Sequence, residues 1–269
     1  MRTVVHGVVL SAVVAMTALS LYHARDIDDI ETAAASVPLT STIESILPQG
    51  SEPVGVGHPV VVTFKKPIDN RSAVERAITV KSDPVREGAY QWLDAKTVQW
   101  TPDEFWPAHS TVMLSVGGMR TQFTTGAAVI GVADISDHTF TVTIDGVEER
   151  LPAPHHLPHA GEEGVLLASL GRPDYPTPVG RYSVLAKDRH VTMDSSSVGI
   201  PIDHPDGYLL DVDYGVRITH RGLYVHSAPW AVPSIGLENT SHGCVSLIPA
   251  AAEWYFNTVK VGDPVIVQE

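Results

Sequence analysis

A mostly β chain in two globular parts is what the sequence predicts, and three observations carry that expectation. From about Pro48 to Thr124, short segments of alternating apolar and polar residues follow one another, separated by clusters of turn-forming residues, the pattern of a small antiparallel sandwich. Beyond Gly126 the alternation continues, and Asp145-Gly146 sits between two such segments as a tight hairpin turn. Only near the C-terminus, from Pro249 to Val259, does a helical spacing of apolar residues take over.

In the first part the expected strands are Val60 to Phe64, Ala77 to Lys81, Ala89 to Leu93, Thr97 to Trp100, Thr111 to Val116 and Thr121 to Thr124. The breaks between them are Lys66-Pro67-Ile68-Asp69-Asn70, Ser82-Asp83-Pro84 and Trp106-Pro107, where proline and Asx residues favour turns. Trp92 and Trp100 fall on two expected strands and read as core rings. The second part has Thr139 to Ile144 and Val147 to Arg150 as the hairpin, then Tyr182 to Ala186, Val191 to Met193, Tyr208 to Leu210, Gly215 to Ile218 and Leu223 to Val225. The single helix opens on Pro249, which suits a first helical position because its missing N–H has no partner there anyway. Gly262-Asp263-Pro264 stops it, and Val265 to Val267 closes the chain as a strand.

Ahead of both parts, Met1-Arg2 precedes an apolar run from Val4 to Leu21, and Arg25-Asp26-Ile27-Asp28-Asp29 then turns sharply polar. The run, at roughly 18 residues, lies between a signal-peptide core and a bilayer span. Cleavage after Ala24 would place Tyr22 where a small residue is needed, so the run reads as an anchor rather than a cleaved signal. With no cysteine after it, it is not a lipoprotein leader. The expected organisation is therefore a leader over 1–24, a polar tether over 25–47, a sandwich over 48–125 and a second domain over 126–269.

Composition narrows the function. With 18 Lys and Arg against 31 Asp and Glu the formal charge is -13, and no basic cluster is present to neutralise a row of phosphates, so nucleic acid is excluded as a partner. A single cysteine, Cys244, excludes an internal disulfide and any site built from several thiolates. His155, His156 and His159 gather around Pro158 with Glu162 and Glu163 nearby, which reads as a solvated turn, and no metal or cofactor is expected.

Cys244 lies in Ser241-His242-Gly243-Cys244-Val245-Ser246, and His226 precedes it by eighteen positions in Leu223-Tyr224-Val225-His226-Ser227-Ala228-Pro229-Trp230. A free thiol titrates near ~8.5, so little of it is thiolate at neutral pH, and an imidazole that stabilises the anion would multiply the reactive fraction. A cysteine that served only as a small core hydrophobe would not be flanked by Ser, His, Gly and Ser. Gly243 permits a backbone geometry in which successive amide N–H groups converge on a developing oxyanion. Ser227 and Ser241 are alternative nucleophiles, weakened by the lack of a Gly-x-Ser-x-Gly elbow.

The run Val225-His226-Ser227-Ala228-Pro229-Trp230, ten further residues and then Ser241-His242-Gly243-Cys244 resembles the signature of the L,D-transpeptidases with a YkuD-type catalytic domain, in their mycobacterial and actinobacterial form. The resemblance extends to Val191–Pro201, Asp206-Gly207-Tyr208 and Trp254-Tyr255-Phe256, and so covers roughly residues 126–269. Residues 50–125, with Pro53 to Phe64 and Trp92-Leu93, resemble the immunoglobulin-like domain that precedes it in that subfamily.

What the resemblance implies is an exported enzyme at the outer face of the cytoplasmic membrane, working on peptidoglycan stem peptides. Cys244 would be the nucleophile and His226 its base, with the main-chain carbonyl of Ser227 orienting the imidazole. Backbone N–H groups around His242, Gly243 and Cys244, with the Tyr208 hydroxyl, would hold the oxyanion. Ser241 and His242 would shape the site, and Met193 and Trp230 would line its entrance. The implied reaction releases D-Ala from a tetrapeptide stem, leaves a thioester, and resolves it with the amine of a neighbouring stem's third residue to give a 3-3 crosslink; carbapenems would acylate the same cysteine. One departure stands out, because the subfamily usually has Asn where this chain has Ser246, and Ser offers one hydroxyl in place of an amide. An L,D-carboxypeptidase using water as acceptor, and a non-catalytic wall-binding protein, are the competing expectations.

Overall fold

The computed structural model describes residues 41–148, 159, 162 and 164–269, all within one compact unit of the chain. The leader and most of the tether, with His155 and His156, lie outside the described residues. Among the described residues no helix is long and apolar enough to cross a membrane.

The first domain runs β1 (Ile43–Leu47), β2 (Val60–Phe64), α1 (Arg71–Ala77), β3 (Ile78–Lys81), β4 (Gly88–Trp92), β5 (Thr97–Pro102), β6 (Thr111–Val116) and β7 (Met119–Thr124). One sheet has the order β1-β2-β5-β4 and the other β3-β6-β7, and both contribute to a single core that includes Val60, Val62, Phe64, Trp100, Val112, Leu114 and Phe123. Each such side chain removed from water contributes roughly 1.5–3 kcal/mol, which makes the alternation seen in sequence the main source of the sandwich's stability. Trp100 is a core ring, stacked 5.4 Å from Trp106. Trp92 is half-buried and donates to Glu75 Oε1 at 2.8 Å.

Two corrections arise here. Ile43–Leu47, placed in the tether by sequence, is β1, because Ile43 and Ile46 are buried while the chain pairs antiparallel with β2. The segment expected to be a strand from Ala77 is preceded by α1, which Asn70 caps by accepting from the Ala73 N–H at 3.0 Å.

The second domain contains β8 (Val129–Asp134), β9 (Thr139–Ile144), β10 (Val147–Glu148), β11 (Val165–Ser169), β12 (Gly180–Ser183), β13 (Ala186–Asp194), β14 (Leu209–Arg217), β15 (Tyr224–Ser227), β16 (Val245–Leu247), α2 (Pro249–Thr258) and β17 (Pro264–Gln268). They form one curled sheet in the order β12-β17-β8-β9-β11-β16-β15-β14-β13, with β10 on β9. The hairpin turn is as expected: Asp145 and Gly146 have φ of 52° and 79°, the left-handed pair such a turn requires. Tyr208 to Leu210 and Gly215 to Ile218, read as separate strands, largely belong to β14, whose outward Asp211 and Asp213 interrupted the apolar pattern. α2 buries Ala251, Ala252 and Tyr255, whose ring meets Phe140 edge-on at 4.9 Å.

The domains are joined by backbone. The N–H groups of Gly55 and Gly57 donate to the carbonyls of Val261 and Gly262 at 2.9 and 2.8 Å, and Ser183 Oγ donates to the Gly57 carbonyl at 2.8 Å. A Cβ on Gly55 would stand 2.0 Å from the Asp263 nitrogen, so only glycine allows this approach.

Candidate active site

β15 and β16 are parallel neighbours in a largely antiparallel sheet, with Val225, His226 and Ser227 paired to Val245, Ser246 and Leu247. Partners in register share a face, and side chains two apart on a strand share a face. His226, Ser246 and Cys244, the residue just before β16, therefore look the same way. They open into a cavity of about 180 Å³, whose walls also include Met193, Tyr208, Trp230, Ser241 and His242.

His226 is buried, and its Nδ1 lies 2.9 Å from the Ser227 carbonyl. A carbonyl only accepts, so Nδ1 carries the proton and Nε2 keeps its lone pair. Burial lowers the pKa of His226, offset in part by that same hydrogen bond, and burial pushes the Cys244 thiol up to about 11, with a bond from the Tyr224 backbone pulling it partly back. The thiol donates to the Gly222 carbonyl at 3.8 Å. Both shifts disfavour the charged forms, so the structure lends no support to a standing thiolate stabilised by the imidazole.

The segment before the thiol is a tight turn tied within itself and to the chain after β11. Ser241 Oγ donates to the Cys244 carbonyl at 2.6 Å and accepts from the Gly243 N–H at 3.0 Å. Gly243 has φ of 117°, open to glycine alone. Ser241 is zipped to the chain after β11, its N–H donating to the Leu170 carbonyl and its carbonyl accepting from the Arg172 N–H, each at 3.0 Å. Two sequence expectations change accordingly. The Gly243 N–H is committed to Ser241 Oγ instead of being free for an oxyanion, and the Ser241 hydroxyl is held within the turn by the Cys244 carbonyl. Ser227 is buried, lies outside the cavity lining and serves through its carbonyl.

His242 is held between two rings, with Tyr175 and Tyr208 each 4.9 Å away by centroid. Arg172 lies over Tyr175 at 4.6 Å and pairs with Asp206, which also accepts from the Tyr175 hydroxyl at 3.3 Å. Burial, then the nearby Arg172 charge, lowers the pKa of His242. Tyr208 is pinned at the base of the 195–208 loop, where its N–H donates to Ser195 Oγ and its carbonyl accepts from the Ser195 N–H, each at 3.0 Å. Its hydroxyl pKa is raised by burial and by the facing Cys244. Trp230, 53% exposed, stands at the mouth with its ring 6.1 Å from that of His226.

Sequence reasoning missed several supports. Thr177, buried between β11 and β12, donates to the Gly243 carbonyl at 2.8 Å. Asn239 accepts from the Leu170 N–H at 2.9 Å and donates to the Ile135 carbonyl at 2.9 Å. The available signal for Thr177 was its setting in Pro176-Thr177-Pro178, a rigid spot for a buried hydroxyl. His159 pairs with Glu162 Oε2 at 3.0 Å.

A β-sandwich followed by a curled sheet that presents one thiol to a carbonyl-oriented imidazole defines an acyltransferase of the YkuD type. Residues 129–267 match the model of the L,D-transpeptidase catalytic domain, and residues 24–118 match that of a bacterial Ig domain. The chain belongs to the L,D-transpeptidase family. It is 63% identical over 248 residues to the probable L,D-transpeptidase 3 of Mycobacterium tuberculosis, covering 90% of this chain and 92% of that one. A crystal structure of the Mycobacterium tuberculosis L,D-transpeptidase 3 with a faropenem-derived adduct matches with a TM-score of 0.80 at 64% identity, over 86% of this chain and 100% of that one. An LD transpeptidase in complex with imipenem matches with a TM-score of 0.78 at 44% identity, over 84% of this chain and 99% of the other.

Proposed function

We propose that the chain crosslinks peptidoglycan stem peptides by a two-step acyl transfer through Cys244. One observation carries this reading: the Ser227 carbonyl holds the proton on His226 Nδ1, leaving Nε2 as a base in the cavity it shares with the thiol. As the substrate carbonyl enters, the thiol proton passes to Nε2 and sulfur attacks the carbonyl of the third stem residue. The oxyanion is received by backbone N–H and by the Tyr208 hydroxyl, as donors aimed at developing charge lower the barrier. Collapse breaks the bond to D-Ala, whose nitrogen takes the proton from His226, and a thioester remains. The acceptor's third-residue amine attacks, His226 removes its proton, and the thiolate leaves, giving a 3-3 crosslink.

Burial that disfavours both charges fits this scheme, since interactions that strengthen in the transition state are the ones that speed the reaction. The imipenem complex and the faropenem-derived adduct of relatives support acylation of Cys244 here by β-lactams of the carbapenem and penem kinds. The apolar run from Val4 to Leu21 supports export, with the catalytic part at the outer face of the cytoplasmic membrane. Incubating the purified protein with a disaccharide tetrapeptide is expected to release D-Ala and form dimers. A Cys244→Ala protein with unchanged activity would sink the proposal, and tripeptide without dimer would identify an L,D-carboxypeptidase.

A further inference from the structure

Thr177 is 2% exposed and takes no part in the scheme above, yet it is bound at both ends. Its Oγ1 accepts from the Gly171 N–H at 2.8 Å, so the hydroxyl's own hydrogen goes to the Gly243 carbonyl, also at 2.8 Å. The direction of this relay is fixed, because an N–H only donates and a carbonyl only accepts. The stretch that delivers the hydroxyl is built tightly. A Cβ on Gly171 would stand 2.2 Å from the Tyr175 carbonyl oxygen and 2.5 Å from the Thr177 nitrogen, and prolines flank Thr177 on both sides. Those prolines fix their own φ and restrict the residues before them.

We propose that Thr177 is a positioning residue for acyl transfer: by holding the Gly243 carbonyl on the interior side, it fixes the Gly243–Cys244 peptide with the Cys244 N–H turned to the cavity as the oxyanion donor. In a planar trans peptide the carbonyl and the following N–H point in opposite directions, so binding one aims the other. A peptide whose carbonyl accepts a hydrogen bond is also a stronger N–H donor, since bonds in a chain polarise one another. The Gly243 N–H is already taken by Ser241 Oγ, so orientation of the next peptide is what remains to be fixed. Left-handed Gly243 makes the turn permissive, and the Thr177 hydroxyl selects one orientation of it.

This inference rests on Cys244 as the nucleophile, and the two fail separately. Wild-type, Thr177→Val and Thr177→Ser proteins are compared in two reactions of the same thiol: acylation by imipenem, which passes through an oxyanion, and alkylation by iodoacetamide, which does not. Thr177→Val is expected to be acylated roughly 10–100-fold more slowly, somewhat less than the loss of a whole oxyanion donor, and alkylated within about 3-fold of wild type. Thr177→Ser keeps the relay and is expected to restore acylation to within about 3-fold. Acylation of Thr177→Val at the wild-type rate, or a parallel fall in both reactions, overturns the role of Thr177. If that variant does not fold, Thr177→Ala, with room for a water between Gly171 and Gly243, is judged by the same two rates. Failure of imipenem to label wild-type Cys244 would instead overturn the proposed function.

Discussion

His226 stands directly opposite Ser246 across the parallel pairing of β15 with β16, and this register brings imidazole and thiol to one face. A slip by one residue would send His226 to the other side of the sheet and separate base from nucleophile.

Because burial lifts the Cys244 pKa to about 11 and lowers that of His226, alkylation of the free enzyme is expected to climb steadily with pH toward that value. A standing thiolate–imidazolium pair would give a plateau near neutral pH instead. Iodoacetamide rates from pH 5 to 10 decide between them, and a neutral plateau would show the standing pair.

Ser246 is buried beside His226 and faces the cavity, where an amide in its place would add donors within reach of a bound stem. Ser246→Asn is expected to lower KM for the donor about 5-fold, the worth of one net hydrogen bond, with kcat within about 2-fold. A fall in kcat with unchanged KM would mean that Ser246 instead tunes the chemistry.

Tyr208 couples electrostatically to Cys244, and its backbone keeps its place through the Ser195 hydroxyl and N–H, so its own hydroxyl can be removed without loosening the ring. Tyr208→Phe is expected to slow imipenem acylation about 10- to 100-fold while the melting temperature stays within about 2 °C. Wild-type acylation by that variant would leave the oxyanion to backbone donors alone.

How legible the molecule was depends on the distance over which each feature is made. Cys244, His226 and the residues beside them were visible because one reaction demands them in two short contiguous runs. Thr177 and Asn239 were not, because each matters only once the segments after β11 and before β16 lie side by side, and the Arg172–Asp206 pair was not, because it joins the segment after β11 to the loop before β14. The upward push on the Cys244 pKa is likewise a property of burial, and no sequence pattern carries it. In the fold, alternation revealed the sandwich strands, whereas α1 buries only Val74 and offered no stripe to read. β1 was hidden by its polar surroundings, since two isoleucines supply its buried face.

Asp263 gives the last prediction, at the seam where Gly55 meets the turn before β17. The residue is fully buried, and Oδ2 accepts from the Lys260 N–H at 2.6 Å. Burial pushes its pKa up to about 7, against the opposing pull of the Lys260 N–H, the Lys260 and Lys187 charges and the Val56 N–H. The folded value lies above the unfolded one, so the folded chain holds a proton that the unfolded chain releases. The stability this contributes is complete below about pH 4, the unfolded carboxyl's range, and is lost as pH rises through about 7. Asp263→Asn removes the charge at nearly constant shape. It is expected to match wild type near pH 4 and to be more stable by about 2–4 kcal/mol at pH 8, an upper range because the site relaxes when ionised. Paired urea unfolding curves across that interval test it, and a stability difference that did not grow with pH would show that Asp263 stays ionised at the seam.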